Sequence, residues 1–334
     1  PVGPISINEL VLIETDNADK YADLGVVRLR LAELGSSKEQ KAALRSFLLR
    51  HPAHPLSSQT HARLRELGDK REFSHQERLT RADNLTAAHL WKEAVAELEQ
   101  IPNNAPLKLR RQRDLQLGTT LFKMRRRYAD AAALLLAVYP HVGSNAAEAM
   151  FRGARALSRA DRDDEAIVWY QKMAAAYPSS DYAQEAQYLS GWLEFNRGRY
   201  AKALAPLAET IRKHPRSKWA TEALWFLGMS NYLLGDFAAA EDNFAELGKR
   251  GKSLEGGKGQ YWLARSQQRR GKQDLALDGY RRIVQRWPFS WYALLAGARL
   301  NEAGQPTDAF GGAAGKDAGP AIATTIDPAL NSDP

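Results

Sequence analysis

Histidines, carboxylates, arginines and aromatic rings are the residues of this protein that could do chemistry, and their spacing points to binding rather than catalysis. His51, His54 and His61 lie close together. The first two flank prolines in His51-Pro52-Ala53-His54-Pro55, and no carboxylate stands at a recognised zinc spacing, so no metal site is expected. His89 reads as a helix-surface residue near Trp91, and His214 precedes Pro215 in a last helical turn, where a cation suits the terminus. The 334 residues contain no cysteine, which excludes disulfides, thiolate nucleophiles and cysteine zinc sites. Glycoside cleavage needs an acid at the scissile oxygen, held in a substrate cleft. Asp161, Asp163, Asp164 and Glu165 crowd a turn instead, and Glu241-Asp242 open a helix, where acids cap and solvate helix starts. No catalytic residue and no cofactor-binding residue is expected.

Positive charge and aromatic rings are the better candidates. The formal net charge is +8, and arginines cluster at Arg110, Arg111 and Arg113, at Arg125 to Arg127, at Arg265, Arg269 and Arg270, and at Arg281, Arg282 and Arg286. Such clusters attract polyanions, although long side chains also solubilise helix faces while their stems cover apolar surface. No motif for sequence-specific nucleic-acid recognition is present, so basic charge alone would give only salt-sensitive, nonspecific binding. Trp169, Tyr170, Phe244 and Tyr280 fall at core-packing phase. Tyr188, Trp192, Trp225, Tyr232, Tyr261 and Trp262 fall on first helices of helix pairs, where a ring could serve as a platform for a sugar or a peptide anchor. The contacts expected to a glycan or a protein partner are Arg265, Arg269, Trp225 and Tyr232.

These residues are held by a repeat. The phrases HLWKEAV from His89, RRYADAA from Arg126, DRDDEAI from Asp161, GRYAKAL from Gly198, GDFAAAE from Gly235 and GKQDLAL from Gly271 start 37, 35, 37, 37 and 36 residues apart. A period of that length marks an array of helical hairpins. Within the units, Gly191 and Ala203, Gly228 and Ala240, and Ala264 and Ala276 are each twelve residues apart. A residue without bulk on each of two antiparallel helices lets the backbones approach, and Leu207, Phe244 and Tyr280 fill the space beyond. Pro140, Pro178, Pro215 and Pro288 stop helices. Capping-box spacing at Asn145 with Glu148 and at Asp181 with Gln184 predicts the next helix starts.

Leu227-Gly228, Ala240 and Phe244, with Gly191, Ala203, Leu207 and Pro215, fall where the tetratricopeptide (TPR) pattern places its small and large packing residues, and the protein resembles that family. The expected fold class is all-α, a right-handed superhelical solenoid of TPR-like helical hairpins. The match is loose before about residue 120 and one residue longer between Gly153 and Ala166. A narrower resemblance is carried by QYWLARSQQRR from Gln260 to Arg270 and PFSWYALLAGARL from Pro288 to Leu300. These look like the last part of the superhelical domain of bacterial soluble lytic transglycosylases, periplasmic enzymes that cut peptidoglycan glycan strands to a 1,6-anhydro product. Their chemistry resides in a separate lysozyme-like domain with a catalytic glutamate, usually followed by serine, and a Gly-Leu-Met-Gln motif. Neither motif occurs here, so the resemblance implies a scaffold, and this chain alone is expected to be inactive.

The expected layout is an N-terminal helical segment over 1–76, TPR-like repeats over 77–303 and a Gly/Ala/Pro-rich linker or tail over 304–334. Residues 1–20 are expected along the surface, followed by a first hairpin of Tyr21 to Leu34 and Lys38 to Arg50. No run of 18 apolar residues occurs, so no transmembrane segment is expected. The start at Pro1 fits a mature exported protein or an excised piece. Two readings follow. In the first, the protein is the non-catalytic scaffold of a periplasmic lytic transglycosylase, with peptidoglycan and a C-terminal catalytic domain as partners. In the alternative it is a free-standing TPR-type interaction module of the bacterial envelope, resembling outer-membrane or Tol-system adaptors and binding an envelope protein. Both place it in the periplasm, with outer-membrane association allowed.

Overall fold

A computed structural model gives the fold and describes residues 35–250 and 255–305. The surface path of residues 1–20, the helix expected over Tyr21 to Leu34 and most of the tail lie outside the described residues. All regular structure among the described residues is helical, and none of these helices is long and apolar enough to cross a membrane. The protein divides into two units, residues 1–186 and 187–334. Each is a stack of TPR-like antiparallel hairpins.

In the first unit, α1 (Ser37–Arg50) pairs with α2 (Ser57–Glu66), α3 (His75–Ala87) with α4 (Trp91–Glu99), α5 (Leu107–Lys123) with α6 (Tyr128–Val138), and α7 (Ala146–Arg159) with α8 (Asp163–Ala176). The division falls within α9 (Ala183–Asn196). The second unit continues with α10 (Tyr200–Lys213), α11 (Lys218–Leu234), α12 (Phe237–Lys249), α13 (Lys258–Arg269), α14 (Gln273–Arg286) and α15 (Trp291–Glu302), each packed on the next.

Close helix approach explains the small residues. A Cβ added at Gly228 would lie 2.7 Å from the Phe244 ring, and one at Gly191 would lie 2.7 Å from Leu207 Cγ. The same relation holds between Gly118 and Leu135, at 2.7 Å. Leu135, Leu207, Phe244 and Tyr280 are all buried. Gly153 departs from the pattern: its bare face meets Leu136 of the preceding helix at 2.6 Å, and Phe151 instead reaches Tyr170, centroid to centroid 5.8 Å. Ala154, fully buried and twelve residues before Ala166, holds the small-residue position here instead of Gly153. Trp169 is half-buried against Tyr139, while Tyr170 is fully buried.

The hairpin turns are built alike. The amides of Leu90, Arg162, Arg199, Asp236 and Lys272 donate to the carbonyls of Leu85, Leu157, Glu194, Asn231 and Gln267, at 2.9–3.0 Å. This is the six-to-one bond that closes a helix through a left-handed residue. In the second unit that residue is Gly198, Gly235 or Gly271, with φ between 70° and 85°. In the first unit it is His89 or Asp161, and Arg125 and Arg127 take the same region at the α5–α6 turn, with φ of 53–60°. Side chains adopt that region at a cost of roughly 1–2 kcal/mol each.

The caps expected at Asn145 and Asp181 do not form, and serines, with Asp236 at α12, cap other helices. Asn145 is already helical in φ and ψ and makes no side-chain cap. Asp181 stands two residues ahead of the first residue of α9. Ser36 with Glu39 and Ser74 with Glu77 form complete capping boxes, and Ser217 and Ser290, which end the HPRS and WPFS segments, accept from the Ala220 and Ala293 amides.

Buried arginines tie the first hairpins together. Arg45 pairs with Asp69 and Glu77 at 3.4 and 3.3 Å and donates to the carbonyls of Arg71 and Glu72. Arg78 and Arg81 share Glu97 at 3.0 and 2.9 Å, and the guanidiniums of Arg45 and Arg81 both lie on the Phe73 ring. His51 and His54 pack on Phe47, and His61 packs on Phe73.

The packing and the arginine network can each be tested. Gly228→Leu should destabilise the fold by about 1–3 kcal/mol through overpacking, partly offset by removing a glycine from a helix. Adding Phe244→Ala should then cost less than it does alone, as read from urea midpoints of the single and double variants. For Glu77, burial pushes the carboxyl up, but hydrogen bonds from Ser74 and Arg45 outweigh it and leave the group below its usual value. Its stabilisation is therefore complete above the unfolded glutamate pKa, about 4.3, and is lost as pH falls through the lowered folded value. Thermal melts from pH 7 to pH 3 should show a steeper decline for the parent protein than for Glu77→Gln.

Candidate functional site

Two faces made by first helices hold polar groups that packing does not require, one in each unit. In the first unit α3, α5 and α7 lie side by side. Between them runs a cleft of about 270 Å³, lined among others by Asp83, Thr86, Gln116, Thr119, Lys123 and Arg152. The Thr86 and Thr120 hydroxyls meet at 3.1 Å on its floor. Gln116 Oε1 is buried there without a hydrogen-bond partner in the protein. Hydroxyls, a carboxamide and charges of both signs, with no aromatic ring in the lining, suit the alternating N–H and C=O groups of an extended peptide better than the face of a sugar. None of these residues stands out in the sequence. Thr86 and Thr120 stand 34 residues apart, on the first helices of successive hairpins but not at the same place in the repeat.

In the second unit the expected contacts separate. Trp225 is buried in the core, its ring 5.6 Å from that of Phe244 and covered by the Lys258 ammonium at 3.8 Å. It therefore packs helices, and its ring is covered rather than presented as a platform. Tyr188 is likewise buried, stacked on Trp219 at 4.9 Å. Tyr232 is half-buried with one edge against Phe237 and another against Trp262, at 5.2 and 4.9 Å. Arg269 is exposed and lies over Phe237 at 4.5 Å, on the same side of α13 as Tyr232's contacts.

Arg265, one helical turn before Arg269, is half-buried and donates to Gln268 Oε1 at 2.7 Å. Tyr280 donates to the same oxygen at 2.9 Å. Burial pushes the Tyr280 phenol up to about 12 against the opposing effect of Arg265, so it stays neutral. Tyr261 is raised by burial in the same way and packs on Tyr292 of α15 at 5.6 Å. The structure thus brings Tyr232, Trp262, Arg265 and Arg269 to one side of α11 and α13. The other acid considered from sequence, Glu241, is bound by Arg270 at 2.6 Å and Lys272 at 2.9 Å. Burial pushes its carboxyl up, the two cations outweigh that, and it remains ionised as a tie between hairpins.

Trp225→Ala should cost about 3–5 kcal/mol, the range for truncating a buried large aromatic, whereas Tyr232→Ala should cost distinctly less. Denaturant midpoints of the two variants check this ordering.

Residues 144–305 match the model of the YfiO family, described as an outer membrane lipoprotein. No curated protein matches this sequence. Among solved structures, the C-terminal part of a TPR repeat-containing protein from Cytophaga hutchinsonii is 17% identical, the match spanning 67% of this protein and 82% of that one, at a TM-score of 0.48. A tetratricopeptide repeat protein from Parabacteroides merdae is 10% identical, the match spanning 80% and 92%, at a TM-score of 0.38. Over the stretch that holds the arginine and tyrosine face, this protein is similar to the YfiO family of outer membrane lipoproteins.

Proposed function

We propose that this protein is a TPR-type protein-interaction module of the bacterial cell envelope, acting on the periplasmic side and associated with the outer membrane. The observation that carries the reading is the match of residues 144–305 to an outer membrane lipoprotein family, which spans the Arg265 and Tyr232 face. Its geometry supports it: half-buried rings beside guanidiniums are the side chains that anchor protein interfaces. The cleft of the first unit adds a second surface suited to an extended segment.

The scaffold reading keeps one specific support. The two segments that resemble soluble lytic transglycosylases form α13 and α15 and pack together in the core, Tyr261 on Tyr292. That reading assigns the face to glycan strands, whereas the family match favours a protein.

A photo-crosslinking residue placed at Tyr232, and separately at Thr119, distinguishes the two in living cells. The expected result is a discrete protein adduct of envelope origin from at least one position. Absence of any protein adduct, with retention of the purified protein on isolated sacculi, would overturn the interaction reading in favour of the scaffold. Incubated with purified sacculi, the isolated protein should release no anhydromuropeptides.

A further inference from the structure

The corner between α14 and α15 exposes two aromatic rings that its own architecture does not need. All eight tryptophans of the sequence fall among the described residues, and Trp291 alone is exposed, at 67%. Among the described phenylalanines the same is true of Phe289, at 85%. Leu294, one turn further along α15, is 46% exposed. The preceding corner of this kind shows what such positions hold elsewhere. Pro215-Arg216-Ser217-Lys218 and Pro288-Phe289-Ser290-Trp291 share one frame, in which the serine accepts from the Ala220 or Ala293 amide at 3.1 or 3.0 Å. The residues on either side of the serine are exposed cations in the first and exposed rings in the second. The cap forms with either, so the rings are not required to build it.

Positive charge lies beside the rings. Arg282 and Arg286 are exposed, one helical turn apart at the end of α14, and the Arg286 guanidinium covers the Trp287 ring at 5.0 Å. From residue 279 to residue 301 the sequence has four arginines and no aspartate or glutamate. The other two, Arg281 and Arg299, are held by Asp278 and Glu302. The adjoining turn Glu255–Gly257 adds one acidic residue against the two exposed guanidiniums.

We propose that this corner rests on an anionic phospholipid surface, with Trp291, Phe289 and Leu294 entering the headgroup region and Arg282 and Arg286 meeting lipid phosphates. Such contact goes beyond the protein-interaction reading and rests on it only for the location at the outer membrane. Tryptophan is enriched at membrane–water interfaces, where its ring takes headgroup depth. Basic residues beside it add attraction to anionic lipid that fades within a Debye length. A lipid surface yields to projecting rings, whereas a protein must offer each anchor a fitted pocket. No described helix can cross a bilayer, so a lipid contact made by these helices is a peripheral one. The corner also lies inside the stretch that matches the outer membrane lipoprotein family.

Flotation of the full protein with vesicles of phosphatidylethanolamine and phosphatidylglycerol, and separately of phosphatidylcholine alone, tests this. Binding to the anionic vesicles should be about tenfold stronger than to the neutral ones and should weaken with added salt. Phe289→Ser combined with Trp291→Ser should lower it by about tenfold, since the insertion is lost. Arg282→Gln combined with Arg286→Gln should bring it down to the level of the neutral vesicles. Both double variants should keep the urea midpoint of the parent, because all four side chains are exposed. Lipids brominated in their acyl chains should quench a component of the emission that Trp291→Phe removes. Absence of flotation with anionic vesicles, equal flotation of the parent and the Phe289→Ser, Trp291→Ser variant, or unquenched Trp291 emission would overturn the lipid contact. So would a photo-crosslinking residue at Trp291 that yields in cells a protein adduct, or a dimer of this protein, and no lipid adduct. If protein adducts at Tyr232 or Thr119 persist in the Phe289→Ser, Trp291→Ser variant while vesicle binding fails, the interaction module stands and the lipid contact alone falls.

Discussion

Close approach of paired helices is the constraint on which the rest of each unit depends. At Gly118, Gly191 and Gly228 a Cβ would fall 2.7 Å from the side chain opposite, so the pair forms at that distance only when the methyl group is missing. The large residue facing the gap, Leu135, Leu207 or Phe244, then fixes how far one helix slides along the other. Register in turn decides which residues are left over. Ala264 is consumed by packing against the next helix, its Cβ facing Gly279. Arg265, rotated about 100° from it by the helical period, is displaced toward the open face. The open face is thus a by-product of where the small residues fall.

Part of the electrostatics is local. The formal charge of +8 and the arginine clusters suggest a broad positive field, and within it four of the clustered arginines are engaged at short range. Arg127 is held by Glu99 and Asp130, Arg113 by Asp114, Arg270 by Glu241 and Arg281 by Asp278. Exposed pairs of this kind contribute little to stability, but they cancel charge where it sits.

The period and the small-to-large pairing are legible in the sequence because both rest on local rules that repeat. Each recurring phrase starts at or next to the left-handed turn residue, His89, Asp161, Gly198, Gly235 or Gly271 among them. That is why its spacing marks the hairpins so directly. The face is legible in part: helix phase singles out Tyr232, Arg265 and Arg269, but it also singles out Trp225, which shares their helices and is buried. A three-residue offset along a helix separates core from surface, and sequence phase is uncertain by about that much where repeats differ in length. Arg45, Arg78 and Arg81 are invisible for another reason. Charged residues read as solvated until their partners, up to 32 residues away, are known. The polar cleft is hidden because its lining is assembled from three helices and follows no motif.

The turns divide the protein into two kinds of building unit. Gly198, Gly235 and Gly271 carry the left-handed bend without a side chain, so these hairpins share one joint, while their helix starts differ: α11 is capped by Ser217 and α13 follows Gly257 with no side-chain cap. The bend is common to these hairpins, whereas the tie of Glu241 to Arg270 and Lys272 is particular to its pair. The hairpins before them turn on His89, Asp161 and the Arg125–Arg127 pair, and Arg127 is also pinned to Glu99 of the preceding hairpin. Those bends carry the cost of a side chain in the left-handed region, which the glycine turns avoid.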